Sequence, residues 1–307
     1  DDFMAVRDFL VESFANFDPP ANWLVDRWNF VGCMARHFHG LSVQAWSAGI
    51  GLWMDESGAT LGMANEEEGT GAVFVQVRDP GVLDRALAAA MLDFAEVHCV
   101  RERGEKGLGF ELRLPPALPA LAQEAAAREY RPAAWSEPLS SMAIAGGGRA
   151  GDALEPPALP AGYRFSSGAE LDPAEKAVAH QRAFGYGNEP VFAAASFRAF
   201  SDFREAPDYR GDLDLSVRGP KGDLVAFACA WLDSRNRLVV LEPVGTVPEE
   251  RRKGLGEAVC KEALRRAAAL GARTGWVGSD QEFYRAMGFT VATRQAVVEY
   301  RPSKGVV

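Results

Sequence analysis

Apolar residues alternate in some segments of the chain, as in strands, and recur every three to four residues in others, as in helices. The same order of predicted strands and helix occurs twice. In the second half, the pattern predicts two strands joined by a Gly-containing turn, a third strand and an amphipathic helix, at 212–232, 237–247 and 251–270. The first half repeats this order at 48–64, 71–77 and 82–97. The pattern therefore predicts two domains built on one plan.

The central helix of each repeat has one apolar face, which indicates packing on a sheet. The stripes are Leu83, Leu87, Met91 and Phe94 in the first helix, and Leu255, Val259, Ala263, Ala267 and Leu270 in the second. Gly271 stands where a left-handed C-terminal cap is expected. The repeats also end alike, because 123–145 and 281–300 each predict a short helix, a turn and a strand.

A segment rich in Gly, Pro and Ala separates the repeats at 145–162. Such a composition is typical of a linker. We therefore predict a first domain at 1–147, a linker at 148–160 and a second domain at 161–307. Residues up to Leu41 predict additional helices that pack through aromatic side chains.

Composition narrows the class of protein. The 307 residues are 48% hydrophobic, and the net charge of −9 argues against nucleic acid or anionic lipid as a partner. The longest apolar stretch, 45–54, is shorter than the roughly 20 residues of a membrane-spanning helix. Widely spaced cysteines and an acidic N-terminus without a signal-peptide pattern favour a cytoplasmic protein with reduced thiols and no membrane partner.

The strongest chemical signal is the turn between a predicted strand and a predicted helix. There, Arg251-x-x-Gly254-x-Gly256 opens the helix. The first turn of a helix has unpaired N–H groups, and glycine lets an anion approach the backbone closely, so this segment predicts a phosphate site. The alternative is a solvated basic helix start.

Residues 237–300 resemble the core of the GNAT acetyltransferase superfamily. Its acetyl-CoA signature, (Gln/Arg)-x-x-Gly-x-(Gly/Ala), is met by Arg251, Gly254 and Gly256, and its Tyr four residues before Gly-Phe is Tyr284. The whole chain resembles the tandem GNAT proteins of bacteria. The resemblance implies an α/β fold of two tandem GNAT-like domains, each with a mixed, mostly antiparallel, splayed sheet flanked by helices, and acetyl-CoA as co-substrate.

The resemblance also implies how acetyl-CoA is held. Its pantetheine arm would lie between two splayed strands, after Val244 and Thr274, and a bulge at Pro243 would free strand groups for it. The backbone groups expected to bind pantetheine and the thioester carbonyl belong to Val244, Gly245 and Thr246. The residues expected at the pyrophosphate are Arg251, Arg252, Lys253, Gly254, Leu255, Gly256 and Glu257.

Two side chains are candidates for proton transfer. Glu242 lies beside the expected thioester and would accept the amine proton through water; the alternative is a structural carboxylate in a salt bridge. Tyr284 stands where the family places the acid that protonates the CoA thiolate; the alternative is a packed aromatic. An acceptor pocket is predicted from Phe184, Tyr186, Glu189 and Trp231, each of which could instead serve packing.

The first repeat lacks this chemistry. Its loop at 78–81 has no such glycine pattern, and Phe74 and Ala125 replace Glu242 and Tyr284. We predict a degenerate, non-catalytic first domain and, in the second, direct acetyl transfer to a primary amine of a small molecule or a peptide N-terminus. The alternative is a non-catalytic acyl-CoA-binding sensor or scaffold. No metal site is predicted, because the His37-x-His39 pair has no further ligands at a recognisable spacing.

Overall fold

The structure is a computed structural model that describes residues 2–144, 155–186 and 190–302. It divides into two compact units. Unit 1 comprises Asp1–Leu24, Leu41–Leu139 and Ala292–Val307. Unit 2 comprises Val25–Gly40 and Ser140–Val291. Each unit therefore draws on both halves of the sequence.

The elements follow the predicted order. Those of the first half are α1 (Asp2–Ser13), α2 (Val25–Phe30), α3 (Arg36–Phe38), α4 (Val43–Ser47), β1 (Ile50–Met54), β2 (Thr60–Glu66), β3 (Ala72–Val77), α5 (Arg85–His98), β4 (Arg101–Glu102), β5 (Leu108–Leu114), α6 (Pro119–Ala127) and β6 (Arg131–Ala143). Those of the second half are β7 (Arg164–Ser167), α7 (Pro173–Phe184), α8 (Pro190–Phe203), β8 (Asp214–Arg218), β9 (Leu224–Asp233), β10 (Leu238–Thr246), α9 (Leu255–Ala269), β11 (Thr274–Val277), α10 (Glu282–Ala286) and β12 (Thr290–Tyr300).

Each unit contains a mixed sheet, as predicted. The strand order in unit 1 is β1-β2-β3-β5-β12-β6, and in unit 2 it is β6-β11-β10-β9-β8-β7, starting from the end of β6 at 140–143. One neighbouring pair in each unit is parallel, β3 with β5 and β10 with β11. Both parallel pairings are short, with two residue pairs between β3 and β5 and three between β10 and β11.

The compact units differ from the continuous ranges 1–147 and 161–307. Long strands are the reason: β12 pairs with β5 inside unit 1, whereas the last four residues of β6 pair with β11 inside unit 2. The segment Val25–Gly40 also belongs to unit 2. Part of the predicted linker lies outside the described residues, and its remainder, 155–160, has neither helix nor strand.

Helix α9 buries its apolar stripe in the core of unit 2. Leu255, Val259, Ala263 and Ala267 pack in one cluster with the inner faces of β8, β9 and β10. The predicted stripe is one position too long, because α9 ends at Ala269 and Leu270 is 43% exposed as its C-cap. Gly271 follows with φ 101°, which is the left-handed cap that the sequence predicts.

No helix in the described part of the chain combines the length and the apolar character that crossing a bilayer requires.

Candidate active site

Strand β10 contains a bulge next to its proline. Leu241 pairs with Ala230 and Val244 pairs with Ala228, so Glu242 and Pro243 together face the single residue Cys229. The Glu242–Pro243 peptide bond is cis. A proline cannot donate to a strand ladder, and a bulge accommodates the missing bond. The predicted bulge is therefore present.

The strands β10 and β11 separate soon after they begin to pair. Their parallel pairing covers only Leu238–Val240 with Thr274–Trp276, and beyond it Val244–Thr246 pair with β9 alone. The predicted splay is therefore present in unit 2. It opens into a cavity of about 830 Å³, lined by Ala183, Phe184, Glu242, Val244, Gly245, Thr246, Glu250, Arg251, Arg252, Gly254, Leu255, Gly256, Glu257, Gly278, Ser279, Gln281, Phe283 and Tyr284.

The first turn of α9 faces this cavity. Gly254 adopts φ 75° as the N-cap, a conformation that costs glycine little. A Cβ at Gly256 would lie 2.8 Å from Thr246 Oγ1. The glycine thus lets α9 start close against the end of β10, and Ala258 makes the first helical bond back to Gly254. The N–H groups of that first turn form an anion-binding end.

The three basic residues before Gly254 have different positions. Arg251 donates to the carbonyl groups of Ala183 at 2.8 Å and Thr246 at 3.1 Å, so it joins the end of α7 to the end of β10 while lining the cavity. Arg252 also lines the cavity. Lys253 does not, because its ammonium is paired with Glu250 at 2.7 Å and donates to Tyr163 at 3.1 Å.

Glu242 and Tyr284 line the same cavity. Burial is the main cause that raises the pKa of Tyr284, and the nearby Cys260 and Glu242 raise it further. Its ring is held edge-on against Phe283 at 5.0 Å and Phe289 at 5.9 Å between ring centroids. The geometry therefore presents a neutral phenol and a carboxylate to one space.

The predicted acceptor residues divide into three groups. Phe184 lines the cavity, and Tyr186 stacks on it at 5.8 Å with an interplanar angle of 13° without lining the cavity itself. Trp231 is completely buried and forms no wall; its Nε1 donates to the Glu242 carbonyl at 2.7 Å. Glu189 lies outside the described residues.

Sequence reasoning missed Phe38, which comes from the N-terminal segment of unit 2. Its ring stacks on His180 with centroids 5.6 Å apart. The contact joins residues far apart in sequence, and no local pattern indicates it.

His37, next to Phe38, is hydrogen-bonded to Asp202 at 2.7 Å. In the described parts of the chain, no group of three or more His, Cys, Asp or Glu side chains is placed to hold a metal ion.

Unit 1 has the equivalent turn without the equivalent chemistry. The backbone N–H of Tyr130 donates to Ala125, as that of Phe289 donates to Tyr284, both at 3.1 Å. Glu129 lies shortly before β6 and Gly288 shortly before β12, and both have positive φ. The two helices therefore end with the same hydrogen bond and the same backbone turn. Ala125 stands in the place of Tyr284, as the sequence predicts.

The parallel strands of unit 1 also separate, but chain atoms fill the gap. Pairing of β3 with β5 ends at Val73, and β3 runs on without a bulge. Asn22 then bonds Val77 through both amide atoms, donating at 2.7 Å and accepting at 3.1 Å. Gln295 of β12 donates to the Ala21 carbonyl at 3.0 Å. Residues 21 and 22 thus join the end of β3 to β12, the strand that pairs with β5.

The helix of unit 1 that corresponds to α9 is already capped. The Asp84 carboxylate accepts from the Leu87 N–H at 2.8 Å, so the first turn of α5 has an internal anion. A phosphate at this helix end would meet that carboxylate rather than glycine and arginine. Splay, helix start and acid position therefore all differ between the units.

Known proteins carry the same fold. Residues 183–289 match the family model described as Acetyltransferase (GNAT) family. The second half of the chain therefore contains a GNAT acetyltransferase domain. Members of this family use acetyl-CoA and act on amines in general. No curated protein matches the chain at a significant level.

Solved structures extend the likeness to nearly the whole chain. A tandem GNAT protein from the clavulanic acid biosynthesis pathway is 18% identical, with 99% of this chain and 97% of that chain covered and a TM-score of 0.62. A GCN5-related N-acetyltransferase from Sphaerobacter thermophilus is 15% identical, with 99% and 95% covered and a TM-score of 0.61. The fold of the chain is therefore the tandem GNAT fold, as predicted.

Proposed function

We propose that unit 2 transfers the acetyl group of acetyl-CoA to a primary amine by direct attack. One observation carries the proposal: a single cavity joins the splay of β10 and β11, the glycine-lined start of α9, Glu242 and Tyr284. The GNAT domain at 183–289 spans all of these elements. The alternative, an acyl-CoA-binding sensor or scaffold, would need the same binding groups but neither proton-transfer side chain.

The described residues fit acetyl-CoA. The first turn of α9 and the guanidinium groups of Arg251 and Arg252 offer donors and positive charge for its pyrophosphate. The backbone at Val244–Thr246, which β11 leaves unpaired on one side, suits the amide groups of its pantetheine arm. When bound, acetyl-CoA supplies an activated acetyl thioester. Lys253 remains a candidate for the pyrophosphate, since its ammonium is paired at 2.7 Å with Glu250, which itself lines the cavity.

Proton transfer is assigned to two groups. An attacking amine must be neutral, because an ammonium has no lone pair. Glu242 accepts one proton of the ammonium through water, which frees the lone pair. The nitrogen then attacks the thioester carbonyl and, as the N–C bond forms, loses a second proton to solvent. Tyr284 gives its proton to the sulfur as the C–S bond breaks, so CoA leaves as the thiol. The phenolate then regains a proton from solvent, and the carboxylate loses one, which balances the cycle.

The experiment that tests this function is amine-dependent release of the CoA thiol. Protein, acetyl-CoA and a panel of aliphatic, aromatic and sugar amines are combined, and free thiol is followed against a control without amine. We expect at least one amine class to raise thiol release well above hydrolysis, with the acetylated amine found by mass spectrometry. Tight acetyl-CoA binding without turnover across the panel would instead favour the sensor.

We propose further that unit 1 binds no CoA, because residues 21 and 22 and Asp84 occupy the equivalent places. Calorimetric titration with CoA is expected to give one site per chain. Gly256→Val should weaken binding about tenfold or more, since its Cβ would meet Thr246 Oγ1 at 2.8 Å and push α9 from β10. A second binding site, or a Gly256→Val protein that binds normally, contradicts this assignment.

The matched control is Gly81→Val in the equivalent loop of unit 1. There a Cβ would meet only Asp79 Oδ1, at 3.2 Å, and this exposed carboxylate can move. We expect an unchanged CoA affinity for this variant. The thermal unfolding midpoint of both variants separates loss of the site from loss of the fold.

A further inference from the structure

Five aromatic side chains of unit 2 form a continuous wall beside the cavity, here called the aromatic wall: Phe38, His180, Phe184, Tyr186 and Phe227. His180 is its centre, with ring centroids 4.6 Å from Phe184, 5.6 Å from Phe38 and 5.7 Å from Tyr186. Three separate chain segments supply these rings. The wall is therefore a product of tertiary packing rather than of one motif.

The wall adjoins the reacting groups. Phe184 lines the same cavity as Glu242, and the ring of Phe227 lies against Gly245, so that a Cβ at Gly245 would collide with it. Gly245 is one of the residues proposed to hold the pantetheine arm. A molecule whose amine reaches Glu242 can thus place its remaining atoms against Phe184, whose ring is stacked on Tyr186.

The outer part of the wall is apolar and open. Phe184 is 45% exposed and Tyr186 is 44% exposed, although both are large rings that soluble proteins usually cover. His180 behind them is 3% exposed, and burial together with the Lys176 charge lowers its pKa to about 3. The imidazole is therefore neutral near pH 7, and it presents an uncharged ring to its neighbours.

Resting on the proposed transfer to an amine, we propose that the acceptor is a primary amine bearing an aromatic ring, which stacks on Phe184, the ring that Tyr186 supports, while its nitrogen points to Glu242. Flat rings pair at centroid distances of about 4.5–7 Å and gain more than their buried area alone provides. Aliphatic polyamines and amino sugars offer no such face. The wall thus selects for the body of the acceptor, and Glu242 selects for its amine.

The test uses the full chain saturated with CoA and two amines with the same number of non-hydrogen atoms, 2-phenylethylamine and 2-cyclohexylethylamine, titrated by calorimetry. Since aromatic pairs are worth about 0.5–1.5 kcal/mol beyond burial, we expect the phenyl compound to bind roughly 2- to 12-fold more tightly. Phe184→Leu and Tyr186→Leu should each remove most of this preference. Equal binding of the two amines, or a preference that survives both variants, overturns the proposal.

Phe197→Leu is the matched control, since Phe197 is a 47% exposed aromatic of α8 that does not line the cavity. It should keep the full preference for the phenyl compound. Thiol release measured in parallel separates the two proposals. If the phenyl compound binds in a Phe184-dependent way but no thiol is released, the acetyl-transfer proposal is wrong and the aromatic-wall proposal is supported. If glucosamine or spermidine is acetylated and 2-phenylethylamine does not bind, acetyl transfer is supported and the aromatic-wall proposal is wrong.

Discussion

Tyr284→Phe is expected to lower kcat by about 10²- to 10⁴-fold, the usual range for loss of a positioned general acid, while CoA binds as before. The phenol is the only group changed, and the ring keeps its edge-on contacts with Phe283 and Phe289. Burial raises the pKa of Tyr284, so the group is protonated when the sulfur leaves. Without it, the thiolate must depart unprotonated or wait for water.

Steady-state kinetics with a saturating amine measure this effect, and calorimetry with CoA measures binding. Tyr130 of unit 1 occupies the position that corresponds to Phe289. Tyr130→Phe removes its hydroxyl group, and we expect this change to leave kcat unchanged. A role in packing alone predicts the opposite result for Tyr284→Phe: a lower unfolding midpoint with nearly normal turnover. A kcat within about threefold of the original would rule out the acid role.

Lys176→Met is expected to destabilise unit 2 by about 3–5 kcal/mol, the usual cost of stranding one partner of a buried ion pair. Lys176 is 1% exposed and its ammonium is paired with Asp214, which is 2% exposed. The Tyr209 hydroxyl also donates to Asp214, at 3.0 Å. Removing the ammonium leaves a carboxylate with only one neutral donor in a buried place. Urea unfolding followed by the fluorescence of buried tryptophans measures the loss.

The double variant Lys176→Met/Asp214→Asn provides the control. It removes both charges and lets the amide oxygen still accept from Tyr209, so most of the lost stability should return. If the single variant loses less than about 1 kcal/mol, the pair contributes little and the packing around it is what matters. If the double variant is no better than the single one, charge stranding is the wrong explanation.

The backbone features of the candidate site in unit 2 were predictable because their signals are local. Gly254 and Gly256 precede a helix with a clear apolar stripe, and Pro243 interrupts a strand, so the bulge and the helix start follow from short segments. The position of Ala125 was predictable for the same reason, since helix, turn and strand repeat at a nearly constant offset from 281–300. Local rules recognise such pieces regardless of what packs on them.

What could not be predicted depends on contacts between distant residues. Lys253 belongs to the same basic run as Arg251, but its contacts with Glu250 and with Tyr163, 90 residues away, have no sign in that run. Trp231 is buried because Phe203 of α8 packs on it, with ring centroids 5.0 Å apart. The bond between Asn22 and Val77, which joins residues far apart in the chain, likewise has no trace in either segment alone. Side-chain direction and long-range pairing are set by the whole fold.

Each compact unit includes segments from both halves of the sequence, so neither half encodes a complete unit. Unit 2 takes Val25–Gly40 and the end of β6 from the first half, and unit 1 takes β12 from the second. A gene shortened to 161–307 would encode β11 without its partner at 140–143 and lose the segment that carries Phe38. The polypeptide of the first half is therefore part of unit 2 whether or not unit 1 has a reaction of its own. The two halves of the sequence must therefore be inherited together, because each compact unit is completed by residues from the other half.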